Sequence, residues 1–261
     1  MKNIIYILLI TLLLSCKNKT VINSTQVNSV QSSQVNTYPE SVSRVFKAHG
    51  GLDRWNALRT LQFTMNKPNG KEVTLTDLRN RKSLISTNKF QIGYNGTDVW
   101  INQDSLHYKG DPKFYYNLMF YFYAMPFILA DSGINYENVE PLEFEGATYP
   151  GIKISYDAGV GESPEDEYVL YYHPETYKMA WLGYTVTFFS KEKSKEFHFI
   201  KYGNWQDVEG MLLPETISWY NYDNNLPTTK RNDLQFVDVK VSKEKPDQTA
   251  FNPPQDSEII E

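Results

Sequence analysis

The chain has 261 residues with 26 basic and 31 acidic side chains, a formal charge of −5, so it carries no basic excess for holding nucleic acid. A single cysteine excludes a disulfide within the chain, and stability must come from an apolar core, for which this length is ample. Phe, Tyr and Trp make up 15% of the residues, with 19 tyrosines, more than a core alone requires, so rings must also serve at surfaces or around a hollow.

Lys2 gives a basic start, Ile4 to Leu14 is almost wholly apolar, and the small residue Ser15 precedes Cys16. The run is too short to span a bilayer and reads as a signal peptide. Leu13-Leu14-Ser15-Cys16 resembles the end of a bacterial lipoprotein signal, in which the cysteine thiol receives a diacylglycerol, the chain is cut before it and the new amino terminus is acylated. The resemblance implies that residues 1–15 are removed and that Cys16 is the lipidation site. Loss of Lys2 leaves 25 basic against 31 acidic residues, a charge of −6. Linked acyl chains hold such a protein on a membrane without a polybasic patch, at about 0.8 kcal/mol per buried methylene. Lys17 to Thr37 is Asn, Ser, Gln, Thr and Val without periodicity, so residues 16–37 are expected to be anchor and tether, with a reach of roughly 25 Å for a flexible coil. Lys17-Asn18-Lys19 lacks the acidic residues that follow the cysteine in some surface-exported lipoproteins, which favours the periplasmic face of the outer membrane. Residues 38–261 are read as a single domain.

Within that domain a helix is expected from Pro39, with Ser41 as cap or first-turn residue, Val42, Val45, Phe46 and Leu52 on one side, and Gly50-Gly51 as its stop. Trp55 and Leu58 anchor a second short turn. From Thr60 the apolar period becomes two. Leu61, Phe63 and Met65 alternate with Gln62 and Thr64, and Val73 and Leu75 with Thr74 and Thr76, which predicts strands with one wet face. Lys67-Pro68-Asn69-Gly70 is the hairpin turn between them. Strands are predicted at 83–87, 90–94 and 99–102, and their consecutive hairpins make the sheet antiparallel. Asp111 to Asp131 is helical in pattern, with Asp111 as cap, Pro112 as first residue and Pro126 as a break. Its apolar residues lie all round, so protein, or protein and ligand, must surround it. Phe114 to Ala130 within it is also the closest approach to a spanning helix, and four tyrosines and a proline rule that out. Alternation resumes at Ile152 to Tyr156, Tyr168 to Tyr172, Tyr184 to Phe188, Phe197 to Phe199, Thr216 to Tyr222 and Leu234 to Val241. The tail after Pro253-Pro254 is expected to fray.

Two turn motifs carry a resemblance. Tyr168-Val-Leu-Tyr-Tyr-His173-Pro174-Glu-Thr176 resembles a strand, Pro-x-Thr, strand unit, and Asp207-Val-Glu-Gly210-Met-Leu-Leu-Pro214 resembles a Gly, three residues, Pro hairpin, both of the Lol-type lipoprotein-carrier superfamily. Ala48-His49-Gly50-Gly51-Leu52-Asp53-Arg54-Trp55 resembles the opening of an uncharacterised family of bacterial lipoproteins. The resemblance implies an α+β fold: an open, strongly curved antiparallel sheet, an unclosed barrel, with helices across the hollow.

Chemistry is sparse. His49-Gly50-Gly51 is similar to an esterase oxyanion loop, but no Gly-x-Ser-x-Gly exists, and a helix stop explains the motif. The four histidines, His49, His107, His173 and His198, show no metal-ligand spacing, and the acidic stretch Glu162, Glu165, Asp166, Glu167 lacks the ligand pattern of a calcium loop. No metal or cofactor is implied. The ring excess is read first as packing by broad strand-forming residues and second as the lining of a hollow, for which Tyr115, Met119, Phe120, Phe122, Tyr123 and Phe127 of the apolar segment are the expected residues. The reading is an envelope lipoprotein that binds an acyl chain or other hydrophobic molecule without catalysis. Its alternatives are an interaction or structural lipoprotein of an outer-membrane complex with a filled core and, less favoured, a hydrolase using His198 and neighbouring acids.

Overall fold

Pro39 fixes an extended residue ahead of α1 (Glu40–Ala48), whose Val42, Val45 and Phe46 form the buried face. Gly50 and Gly51, with φ of +112° and +88°, turn the chain into α2 (Leu52–Ala57), which buries Trp55. The computed structural model describes residues 38–157, 163 and 165–261; the signal segment, Cys16, the tether and Glu162 lie outside the described residues. Tyr38–Glu261 forms one compact unit.

The strands form one antiparallel sheet whose order follows from two meanders. β1 (Thr60–Lys67), β2 (Gly70–Asp77), β3 (Ser83–Ser86), β4 (Phe90–Tyr94) and β5 (Val99–Gln103) run outward from the middle to one side. A crossing segment follows, made of α3 (Pro112–Tyr115), α4 (Leu118–Tyr123) and a 3₁₀ turn (Phe127–Ala130). It delivers the chain to the far edge. From there β6 (Ile134–Phe144), β7 (Ala147–Tyr156), β8 (Tyr168–Tyr172), β9 (Met179–Tyr184), β10 (His198–Val208), β11 (Met211–Asp223) and β12 (Leu226–Ser242) return until β12 pairs with β1. β13 (Glu258–Ile260) then adds to β5. The order β13-β5-β4-β3-β2-β1-β12-β11-β10-β9-β8-β7-β6 has two ends, so the sheet is open, as expected. Bulges in β6 and β12 help it curve, and Asp238, at φ +53°, lies in the one opposite β1.

The crossing segment lies on the inner face. Tyr123 packs between Phe63 of β1 and Phe236 of β12 at ring distances of 4.4 Å each, and Phe127 stacks on Trp55 at 4.7 Å. Instead of the single kinked helix predicted, it consists of short helical pieces, because Asp111 caps only α3 and Pro126 allows no continuation. Short pieces leave orphan carbonyls. Tyr202 donates to the Phe122 carbonyl at 2.6 Å, Tyr38 to Ala130 at 3.1 Å, Ser83 to Tyr116 at 3.3 Å and Tyr136 to Leu129.

Three expectations need correction. Thr74 and Thr76 do not face water: they are 1% and 0% exposed and stand opposite Phe63 and Leu61, on the inner face. Val73 and Leu75 face outward, where Leu75, Leu84, Gly93 and Trp100 share a row. That row is covered by a C-terminal 3₁₀ turn (Gln248–Phe251), since the Trp100 indole N–H donates to the Phe251 carbonyl at 2.9 Å. The tail beyond Pro254 is paired as β13, and the strand expected at Tyr184 to Phe188 is instead Met179–Tyr184.

His49 ties α1 to the sheet. Its Nδ1–H donates to the Val45 carbonyl at 2.8 Å and Nε2 accepts from the Met179 N–H at 3.3 Å, which sets a neutral tautomer. Burial lowers its pKa from 6.5 to about 4, against the pull of the Val45 carbonyl. Between these values the unfolded chain takes a proton that the folded one refuses, so stability falls as pH drops from 6.5 to about 4. Urea unfolding across that range should show a shallower fall for His49→Gln than for the natural chain, although the variant starts less stable at neutral pH; equal slopes would contradict the assignment. A Cβ on Gly93 would lie 2.2 Å from the Trp100 ring, whereas one on Gly203 meets nothing within 4 Å. Gly93→Ala should therefore cost about 1–3 kcal/mol in denaturant unfolding, and Gly203→Ala less than about 0.5 kcal/mol. Equal losses would show that the Trp100 packing yields freely.

Candidate functional site

One face of the crossing segment carries Phe114, Asn117, Leu118, Tyr121 and Phe122, at spacings of three and four, with Phe122 shared between core and cavity. These residues line a cavity of about 510 Å³ at one end of the sheet, within the range of roughly 300–1,000 Å³ typical of small-molecule sites. Trp55 of α2 closes one side, Leu78, Arg79 and Arg81 from the β2–β3 turn another, and Tyr156 and Tyr168 from the adjoining ends of β7 and β8 a third. Phe188 lies at the rim against Phe114, ring centres 5.2 Å apart, and Phe189 beside it is 67% exposed. The walls are mixed, with seven aromatic rings interleaved with charged, amide and hydroxyl side chains.

Among the polar lining residues, two buried side-chain atoms lack a hydrogen-bond partner. Arg81 gives one guanidinium nitrogen to both carboxylate oxygens of Asp131 at 2.8 Å, while its other terminal nitrogen is buried without a partner. Its guanidinium also lies over the Phe120 ring at 5.0 Å. The Asn117 side-chain oxygen is likewise buried and unpartnered. Burial raises the hydroxyl pKa of Tyr121, Tyr156 and Tyr168, so all three keep their protons at ordinary pH. Asp166 accepts from the Thr187 N–H and hydroxyl at 2.7 and 2.8 Å, and burial raises its pKa while these bonds oppose the rise. Both lining carboxylates thus have partners within the protein.

Of the six residues expected to line a hollow, Phe122 lines this cavity. Met119, Phe120, Tyr123 and Phe127 are buried in the main core, on the opposite face of the segment. Tyr115 sits elsewhere: it donates to Glu72 at 2.6 Å, and Lys67, in contact with the Tyr115 hydroxyl, pairs with the same carboxylate at 2.8 Å, which fixes α3 to the β1–β2 hairpin. Trp55, Tyr156, Tyr168, Arg79 and Arg81 were not foreseen, since only the fold brings them together. Asn117, the one polar break within an apolar run, was the available signal.

The other motifs hold structure. Gly50 and Gly51 donate their N–H groups to the Lys47 and Phe46 carbonyls at 3.2 and 2.9 Å, which spends them on the helix stop. His198 packs its ring against Tyr184 and Tyr222 at 5.4 and 4.9 Å, and burial lowers its pKa. His107 lies on an exposed loop with Ser105 and Asp104. Glu167 pairs with Lys153 at 2.9 Å and Glu165 with Lys193 at 3.9 Å. Among the described residues no group of three or more His, Cys, Asp or Glu is placed to hold a metal ion, and no helix is long and apolar enough to cross a membrane.

No curated protein matches the chain. Solved structures do. A LolA-superfamily protein from Nitrosomonas europaea aligns over 80% of this chain and 96% of its own, at 10% identity and TM-score 0.47. A DUF1329-family protein from Desulfovibrio piger aligns over 77% and 93%, at 9% identity and TM-score 0.45. A domain from Vibrio parahaemolyticus named for outer-membrane lipoprotein sorting aligns over 70% and 84%, at 10% identity and TM-score 0.39. A family model matches residues 2–230, and the chain belongs to that family, described as a family of unknown function (DUF6503).

Proposed function

We propose that this chain is a lipid-anchored envelope protein that holds a hydrophobic or amphiphilic small molecule in the cavity beneath the crossing segment, without catalysing its conversion. The observation that carries the reading is the cavity itself, lined by rings and polar side chains together; two of its lining residues, Arg81 and Asn117, each hold a buried polar atom without a partner among the described residues. Unpaired buried groups are costly, and a bound molecule is the natural partner for groups facing one cavity. The lining carboxylates are spent on Arg81 and Thr187, which leaves neither poised beside a nucleophile. Cys16 carries the lipid in this reading, residues 1–15 are the removed signal, 16–37 the tether, and the domain faces the periplasm from the outer membrane. The extent to which Tyr123, Phe127 and Phe120 fill the hollow favours, as second reading, a structural or interaction role within an envelope complex.

Native mass spectrometry of the mature chain, purified without detergent and followed by organic extraction, tests the first reading. A reproducible added mass identified as a lipid or other apolar molecule is expected. Leu118→Trp, which fills the cavity from a half-buried position, should abolish that mass while leaving the unfolding midpoint nearly unchanged; Leu106→Ala, on an exposed loop, should retain it. A clean apo mass that persists after adding lipids would favour the structural role.

A further inference from the structure

The charges around the cavity form two opposed pairs in number: Arg79 and Arg81 against Asp131 and Asp166. Arg81 and Asp131 already neutralise each other at 2.8 Å. A ligand bearing a carboxylate or phosphate would bring a further negative charge to a partly desolvated site that already holds two carboxylates, and a quaternary ammonium would meet two guanidinium groups. Neither sign of net charge is matched. What the site leaves open is hydrogen bonding: an N–H of Arg81 to be accepted, the carboxamide of Asn117, and the hydroxyls of Tyr121, Tyr156 and Tyr168, for which no hydrogen bond is made among the described residues. A hydroxyl both gives and accepts, so a single one can serve a donor and an acceptor together.

Resting on the binding role proposed above, we infer that the ligand is an amphiphile with an uncharged, hydroxyl-bearing head, seated with that head toward Arg81 and Asn117 and its apolar part against the rings of Trp55, Phe122 and Tyr168. The balance of charge selects against fatty acids, phospholipids and cationic surfactants, and the unpartnered groups select for an alcohol. The sparing of both carboxylates by internal partners fits this. Asp166 is held by Thr187 and Asp131 by Arg81, so neither calls for a cationic ligand.

The test uses the mature chain and four single-chain probes of equal chain length: monolaurin, laurate, dodecyl phosphate and dodecyltrimethylammonium. Each is kept below its micellar concentration and measured by displacement of a fluorescent naphthylamine dye. Monolaurin is expected to bind about tenfold more tightly than any charged probe. Asn117→Leu should remove that advantage without preventing dye binding. Asp131→Asn, at an exposed rim position, leaves Arg81 uncompensated and should reverse the order, placing laurate ahead of monolaurin. Equal affinity for all four probes, or a charged probe ahead in the natural chain, would overturn the inference and leave the binding role standing. Failure of the dye and of every probe to bind would overturn both.

Discussion

The rest of the structure depends on one topological demand. A sheet built from two meanders that begin at its centre and at its far edge needs a connection across its full width, and here that connection is the segment between β5 and β6. A segment laid over the inner face of an open sheet is buried, so it must be apolar toward the sheet and must satisfy its own backbone. Long helices meet the second requirement internally, but α3 and α4 are one or two turns long. The sheet, with Tyr38 ahead of α1, supplies the missing donors. Tyr202, Tyr38, Tyr136 and Ser83 reach the carbonyls at the ends of the short helical pieces, which makes the position of the crossing segment specific as well as apolar.

That arrangement also decides where a cavity can exist. Tyr123, Phe120 and Phe127 fill the space above β1, β12 and α2, whereas Asn117, Leu118, Tyr121 and Phe122 look toward the end of the sheet where β7 and β8 stop. The cavity is the part of the hollow that the crossing segment does not fill. Its polar side comes from the β2–β3 turn, where Arg81 adopts φ +60° and lies over the Phe120 ring at 5.0 Å. The same arginine bonds to Asp131, just beyond the crossing segment, so one side chain joins the turn, the crossing segment and the cavity.

Much of this fold was legible from period and turn chemistry. Leu61, Phe63 and Met65, the Pro68-Asn69-Gly70 turn, the Gly50-Gly51 stop and the Asp111-Pro112 start appear where the sequence placed them. The failures have a common physical cause. Alternation reports a wet face only when one face is wet, and β2 has both faces covered, by the crossing segment and by the C-terminal turn; Thr74 and Thr76 are therefore buried although polar. β9 is buried on both sides over most of its length and shows no alternation, while β6 is an edge strand rich in Asn and Glu, with Pro141 at its bulge, and reads as loop. The site was less legible still. Residues near each other in sequence divided between core and cavity by helical phase, and Tyr156, Tyr168 and Arg81 joined them only through strand order.

The tyrosine excess follows from the same architecture. A one-layer sheet has two faces to cover and no second sheet to do it, so each face needs side chains that shed water over a wide area and still tolerate contact with it. On the inner face tyrosines bond the crossing segment and line the cavity. On the outer face Tyr220 and Phe144 close over Trp181 at 4.7 and 4.6 Å, with the Lys201 ammonium 5.2 Å from the Trp181 ring. Phenol suits all of these places because its ring packs while its hydroxyl bonds a carbonyl or faces solvent. Aromatic content therefore reports the architecture first. A smaller set of rings, those of Tyr121, Tyr156 and Tyr168, lines the cavity instead of filling the core.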